Sequence, residues 1–282
     1  MNSSPAETAL SRALIRWSLS RASLIAETPR SWIYKVEQNG RSPAVLKQLK
    51  PGVGDEELRG SAMLAWYSGQ GAATVFDAAD GILFMEWLDG KTLGDAARTG
   101  HDEEATIAIA TLVKQLHEPR EADPPPLEPL RLRYRALFEM KPSRWPGKSR
   151  DLLARAVGIA HGLFDKPAPS VPLHGDLHHD NIIASSRGWL AIDPKGLVGD
   201  PAYEVANVFQ NPERGDRLVN DPRRVARLAD VFAERLGYSR KRILAYAATH
   251  TALSAAWHIE DGNPPTWQLD VLPHLLAAYD LA

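Results

Sequence analysis

The strongest constraint on this chain lies at positions 173–196, "LHGDLHHDNIIASSRGWLAIDPKG". One loop carries His174, Asp176, His178, His179, Asp180 and Asn181, and a second carboxylate, Asp193, follows an apolar passage. Any fold must hold this polar loop open to a ligand and also return Asp193 to it. The passage supplies the means. "IIASSRGWLAID" reads as a hairpin turning at Ser185–Gly188, which brings Asp193 back beside Asn181. The residue types alone allow two chemistries. Clustered His and Asp suit a zinc or paired-metal hydrolase. Hard oxygen donors on neighbouring strand ends suit Mg²⁺ bridging the phosphates of a nucleotide.

Spacing separates them. The step from Asp176 to Asn181 is the D-x-x-x-x-N of a phosphoryl-transfer loop, in which the Asp meets the acceptor hydroxyl and the Asn holds the metal. A metal cage would need further ligands from distant loops. The other histidines (His101, His117, His161, His250, His258, His274) lie in or near helical stretches without ligand-like partners. The upstream half supplies a complement. "AVLK" puts Lys47 on a strand, where a lysine can grip nucleotide phosphates, and the following helix offers Glu57 to hold it, with Glu56 as the alternative. Lys35 and Lys50 compete with Lys47.

Two patterning regimes divide the chain near Leu88. Before it, "SWIYKVEQ" (31–38) and "AVLKQLK" (44–50) alternate as strands around the turn "NGRSP". "GDEELRGSAMLAWYSG" (54–69) reads as a helix with an apolar stripe of Leu58, Ala62, Ala65 and Trp66. "TVFDAADGILFMEWL" (74–88) reads as a hairpin turning at Asp80-Gly81. After it, helical patterns cover 102–117, 130–140, 149–164, 221–237, 240–259 and the C-terminus, with a proline-rich loop at 119–129. The expected fold class is α+β: a small antiparallel sheet lobe over 1–88, for nucleotide, and a larger, mainly helical catalytic and substrate lobe over 89–282. A net charge of -2 with no basic stripe excludes nucleic acid as a partner, and zero cysteines exclude a disulfide framework or thiolate metal site. The start lacks the continuous apolar core of a signal peptide, and no apolar run is long enough to span a bilayer. The expectation is a cytoplasmic enzyme.

The motifs "PLHGDLHHDNI", "GWLAIDPKGLVGDPAYEVANVFQNP", "VLKQLKPG" and "AAWHIEDG" resemble the aminoglycoside phosphotransferase family, and within it the streptomycin 6-phosphotransferase and hydroxyurea kinase group. The resemblance implies a bilobal protein-kinase-like fold and an ATP- and Mg²⁺-dependent transfer to a small-molecule hydroxyl. A metabolic sugar or amino-alcohol kinase of the same fold is the nearest alternative. Asp176 would position or deprotonate the hydroxyl, Asn181 and Asp193 would bind Mg²⁺, and His174 would orient the loop. Lys47, held by Glu57, would bind phosphates. The backbone of Glu86 and Leu88, with Met85, would meet adenine. No G-x-G-x-x-G loop is present; "AETPRSWIYKV" stands there, with Thr28 or Ser31 as the hydroxyl covering the phosphates. Asp200, in "GDPAYEVAN", would brace the site from below.

Family members that act on polycations need acidic walls. The last 33 residues contain Glu260, Asp261, Asp270 and Asp280 but no Lys or Arg. Glu260 and Asp261, which end a long helix, together with Asp180, are the expected acids toward a cationic substrate. Trp257 and Trp267 are the expected sugar platforms.

Overall fold

The computed structural model describes residues 5–282, so the first four residues of the expected N-terminal lobe lie outside the described residues. A helix, α1 (Pro5–Arg16), precedes five strands: β1 (Leu19–Glu27), β2 (Ser31–Gln38), β3 (Ala44–Leu49), β4 (Val75–Ala79) and β5 (Ile82–Glu86). They form one sheet in the order β1-β2-β3-β5-β4, every pair antiparallel. Helix α2 (Asp55–Trp66) connects β3 to β4. The β4–β5 turn lies at Asp80-Gly81, both at positive φ, as expected for a tight hairpin. α1 and β1 went unread in the sequence.

Alternation along β3 sorts its residues between two environments. Ala44 and Leu46 join Val36, Ile82, Phe84 and Ala13 of α1 in a small core on one face. Val45 and Lys47 face the other way, with Val45 in the main core and Lys47 in the cleft. Burying a side chain such as Val36, Leu46 or Ile82 contributes roughly 1.5–3 kcal/mol.

The remainder is mostly helical: α3 (Leu93–Arg98), α4 (Asp102–Leu116), α5 (Leu130–Arg133), α6 (Arg135–Glu139), α7 (Arg150–Asp165), α8 (Asp216–Val219), α9 (Pro222–Leu236), α10 (Arg240–Glu260) and α11 (Thr266–Asp280). The single helix expected over 130–140 is broken at Tyr134. α10 is alanine-rich and buried along most of its length, the pattern of a helix packed on all sides. Around it lie α7, α9, α11 and a 3₁₀ stretch, Pro201–Gln210.

Two small β units carry the polar loop. Strands β6 (Glu128–Pro129), β10 (Leu197–Gly199) and β7 (Val171–Leu173) pair in that order, and β8 (Ile182–Ser185) pairs with β9 (Gly188–Ala191) as the expected hairpin. The hairpin is stitched to the segment before β4 through Ala73 N–H to Ala191 O and Ala191 N–H to Gly71 O, both 2.9 Å.

The expected apolar stripe on α2 is on the wrong face. Leu58 is 54% exposed and Ala62 and Ala65 are exposed, whereas Glu57, Gly60, Met63 and Leu64 are buried. The helix is rotated to bring Glu57 to Lys47 and Gly60 to the backbone after Asp193.

Candidate active site

One cleft of about 820 Å³ lies between the five-stranded sheet and the polar loop. Ile33, Val45, Leu83, Met85, Ile183 and Ile192 make its apolar walls, and Lys47, Glu57, Asp176, Asn181 and Asp193 reach into it. Lys47 Nζ lies 3.1 Å from Glu57 Oε2 and also bonds Asp193 Oδ1. Glu57, not Glu56, is therefore its helix partner. The competing lysines are occupied elsewhere: Lys50 pairs with Glu27 at 2.7 Å, and Lys35 lies over the Trp87 ring at 4.1 Å.

The hairpin places Asp193 beside Asn181, with Ile192 N–H donating to Asn181 O at 2.9 Å. Asp193 adopts φ 59°, a left-handed conformation that Asp tolerates better than most residues. Burial alone would raise its carboxyl, but the Lys47 and Lys195 ammonium groups outweigh that and hold it at about 2. Asn181 Nδ2 donates to Asp176 O at 3.0 Å, which fixes the amide with Oδ1 as its acceptor end. Asp176 Oδ1 accepts from Asn207 Nδ2 at 2.8 Å.

A buried carboxylate that sequence reasoning missed fixes the loop. Glu204 accepts from His174 N–H and Gly175 N–H and pairs with His117 Nε2, each at 2.9 Å. Burial alone would raise its carboxyl, but the hydrogen bond and charge of His117, the nearby His174 and the Gly175 amide hold it below the usual range. His174 Nε2 meets Ile192 O at 2.9 Å, tying the loop to the hairpin, and burial keeps this histidine below its usual pKa. Asp200 accepts from Ala202 N–H at 3.0 Å and bonds Arg242, so it braces the loops beneath the cleft. The only hint of Glu204 in the sequence is its place in "GDPAYEVAN".

Lys195 is a second residue that went unread, although "DPKG" contains it. Its ammonium lies 3.5 Å from Asp193 Oδ2, 3.7 Å from Asp176 Oδ2 and 3.9 Å from Glu56 Oε1. Arg30 and Arg133 also line the cleft, each 2.6 Å from Glu56. His179, conspicuous in the motif, is buried against Arg224, which in turn holds Asp102 through bonds of 2.8 and 2.9 Å.

Other expected residues divide. Met85, Glu86 and Leu88 line the cleft; the Glu86 carboxylate accepts from Thr74 N–H and pairs with Arg187, and Glu86 N–H donates to Thr74 O at 2.9 Å. Thr28 and Ser31 also line it, but Thr28 Oγ1 accepts from Arg30 and Ser31 N–H at 3.2 and 2.9 Å and meets Ser31 Oγ at 3.0 Å. These hydroxyls shape the β1–β2 turn. Trp257 lines the cleft with the Arg133 guanidinium 4.6 Å over its ring. Glu260 lines a hollow of about 270 Å³ with Glu56, Glu128, Glu139, Arg133 and Trp257. Asp261 is the exposed C-cap of α10. Asp180 is not brought to the cleft: Arg98 at 2.9 Å, Glu213 N–H at 3.1 Å and Thr92 occupy its carboxylate. It locks α3 to the loop, and Gly94 is needed there because a Cβ would stand 2.1 Å from Asp180 Oδ1. Trp267 is likewise structural, its Nε1–H donating to Gln210 O at 3.2 Å. Among the described residues, no group of three His, Cys, Asp or Glu side chains could hold a metal ion.

A lysine–glutamate pair on a sheet and helix, facing a loop with ordered Asp, Asn and Asp, defines a phosphotransferase of the protein-kinase-like fold. The chain belongs to the aminoglycoside/hydroxyurea antibiotic resistance kinase family, whose model matches residues 16–262. It is 39% identical over 252 residues to a streptomycin 3''-kinase of Klebsiella pneumoniae, covering 88% of this chain and 91% of that one. It is 29% identical over 262 residues to a streptomycin 6-kinase of Streptomyces griseus, covering 90% and 83%. In fold it is similar to aminoglycoside phosphotransferase APH(4)-Ia, solved as a thermostable mutant in ternary complex with AMP-PNP and hygromycin B. That match has a TM-score of 0.69 at 15% identity and covers 95% of this chain and 97% of the other.

Proposed function

We propose that this protein transfers the γ-phosphoryl group of ATP to a hydroxyl of streptomycin, with the 3'' position as the acceptor. The observation that carries the transfer is the convergence of Lys47, Glu57, Asp176, Asn181 and Asp193 on one cleft. The acceptor rests on the 39% identity to a streptomycin 3''-kinase against 29% to a 6-kinase.

In this reading the described residues up to 88 form the nucleotide lobe and residues 89–282 the catalytic and substrate lobe. The backbone from Met85 to Leu88 meets the adenine edge, and the apolar walls sandwich the ring. Lys47, held by Glu57, grips the α- and β-phosphates. The turn at Thr28–Ser31 covers them. Asp176, held by Asn207, orients the acceptor hydroxyl and receives its proton; orientation matters more than basicity because the transition state is loose. Asn181 and Asp193 offer two hard oxygens on adjoining strand ends, a donor set that fits Mg²⁺ shared with nucleotide phosphates. When bound, Mg²⁺ neutralises phosphate charge. His174 and Glu204 hold the loop and need not touch substrate.

Glu260 and Glu139, with Trp257, supply the acidic and aromatic wall for a cationic sugar. Among the described residues no helix is long and apolar enough to cross a membrane, and ATP as donor argues for action in the cytoplasm. Incubation of the purified protein with ATP, Mg²⁺ and streptomycin should add one phosphate, seen by mass spectrometry and placed by ³¹P–¹H correlation at the 3'' oxygen. Asp176→Asn should lose transfer while still binding ADP. Transfer at full rate in that variant, or none in the wild type, refutes the assignment.

A further inference from the structure

We infer that Lys195 is a catalytic residue: its ammonium contacts the γ-phosphoryl oxygens and stabilises the charge on the group as it moves from nucleotide to acceptor. The inference rests on the phosphotransfer reading above and adds a residue to it.

The Lys195 ammonium lies between the two carboxylates that bracket the reaction, 3.5 Å from Asp193 Oδ2 on the metal side and 3.7 Å from Asp176 Oδ2 on the acceptor side. A phosphoryl group moving in line from one side to the other passes within its reach. The backbone is fixed there as well. Lys195 N–H donates to His174 O at 2.7 Å, and Gly60 packs directly on the carbonyl of Pro194.

Charged hydrogen bonds close to about 2.7–2.9 Å when made directly. The other cleft cations have tight partners: Arg30 and Arg133 at 2.6 Å from Glu56, and Lys47 on Glu57 and Asp193. Among the described residues Lys195 finds its nearest carboxylates at 3.5, 3.7 and 3.9 Å, although its side chain is only 14% exposed. Of its three donors only one reaches a carboxylate within hydrogen-bond distance, that of Asp193 at 3.5 Å, which leaves two for an anionic oxygen.

The loop between Asp176 and Asn181 reads Leu-His-His-Asp and contains no Lys or Arg, so it offers no fixed positive charge to the transferred group. Lys195 supplies one from the adjoining segment. In the step, the bond from the γ-phosphorus to the β–γ bridging oxygen breaks and a bond from the acceptor oxygen forms. The acceptor proton passes to Asp176 and then to solvent, and ADP leaves with the bridging oxygen's charge. Lys195 neither gains nor loses a proton.

The test compares Lys195→Met and Lys195→Arg with the wild type in two assays. Binding of ADP and of AMP-PNP, measured by calorimetry, isolates contact with the γ-phosphate. Lys195→Met should keep ADP affinity and lose the wild type's preference for AMP-PNP, while Lys195→Arg should retain part of it. In steady state, removing one such charge should lower kcat by roughly 10²–10³-fold with little change in the acceptor KM. Retained ADP affinity shows that the cleft has folded. A Met variant that keeps both AMP-PNP preference and kcat, or that loses ADP and AMP-PNP affinity in parallel, overturns the inference and leaves the wild-type reaction standing. A wild type that binds neither nucleotide overturns both.

Discussion

Gly60→Ala is the sharpest test of how α2 is seated. Gly60 is in the interior of the helix, where alanine is worth about 1 kcal/mol more than glycine by propensity. Helix chemistry alone therefore predicts a gain. The structure predicts the opposite. A Cβ at Gly60 would stand 2.1 Å from the Pro194 carbonyl oxygen, whereas ordinary contact begins at 3.4 Å, so the two backbones must part by about 1.3 Å. Neither side can turn a rotamer out of the way. Overpacking of this kind costs about 1–3 kcal/mol, which at least cancels the propensity gain and leaves a net loss of up to about 2 kcal/mol. The catalytic effect should be larger. α2 carries Glu57, 3.1 Å from Lys47, and the displaced segment carries Asp193 and Lys195. A misplacement near 1 Å can lower turnover by about 10²-fold. Thermal melts and steady-state phosphorylation of streptomycin would measure both. Gly158→Ala in α7 is the control, since nothing lies within 4 Å of a Cβ there and propensity should act unopposed. If Gly60→Ala melts at or above the wild type and keeps its kcat, the seating of α2 on the Asp193 segment is wrong.

Three further outcomes are expected. Glu204→Gln keeps the side chain's shape but leaves fewer acceptor sites for His117, His174 N–H and Gly175 N–H; one orphaned donor costs about 1–3 kcal/mol, and kcat should fall while ADP affinity holds. Unchanged melting and turnover would contradict that role. Arg224→Met removes both short bonds to Asp102, leaving it only Arg227 at 3.8 Å as a cation, and should cost about 3–5 kcal/mol in urea unfolding, whereas adding Asp102→Leu should recover much of it, and a double variant no better than the single would refute the pairing. His250, bonded to the Tyr203 hydroxyl at 2.9 Å, is pushed down to about 3 by burial and then by the Arg133 and His178 charges. It stays neutral in the fold while the unfolded chain protonates near 6.5, so stability is full above 6.5 and is lost as pH falls toward 3. The slope is about 1.4 kcal/mol per pH unit for this histidine. His250→Asn should flatten the fall in urea midpoint between pH 7 and pH 5, and an unchanged slope would discount the histidine.

What was legible in the sequence had a period or an order. Strands β2 and β3 alternate, their turn and that of β4–β5 use residues tolerant of positive φ, and the long helices repeat apolar positions. The ordered Asp176, Asn181 and Asp193 pointed to one cleft because a short hairpin leaves little freedom in where Asp193 returns. Missed residues act through three-dimensional pairing that no local pattern encodes. Glu204 reaches back to the loop across 30 positions, and Arg224 finds Asp102 across 122. Asp180 misled for the same reason: an acid in a polar loop reads as exposed to substrate until α3 and Arg98 are known to cover it.

The face of α2 shows what decides such cases. By apolar content the helix would bury Leu58, Ala62 and Ala65, yet it leaves them exposed and buries a glutamate and a glycine. Burying Leu58 would contribute roughly 1.5–3 kcal/mol. The rotation that forgoes this brings Glu57 to Lys47, leaves room at Gly60 for the Pro194 carbonyl, and sets Glu56 among Arg30, Arg133 and Lys195. Met63 and Leu64, adjacent on the inward face, become the packing residues instead. The helix therefore serves the cleft first and the core second. Its orientation can be read only once the lysine on β3 and the carboxylate at Asp193 are known to meet, and that meeting is the reason a glycine stands where helix propensity would have put alanine.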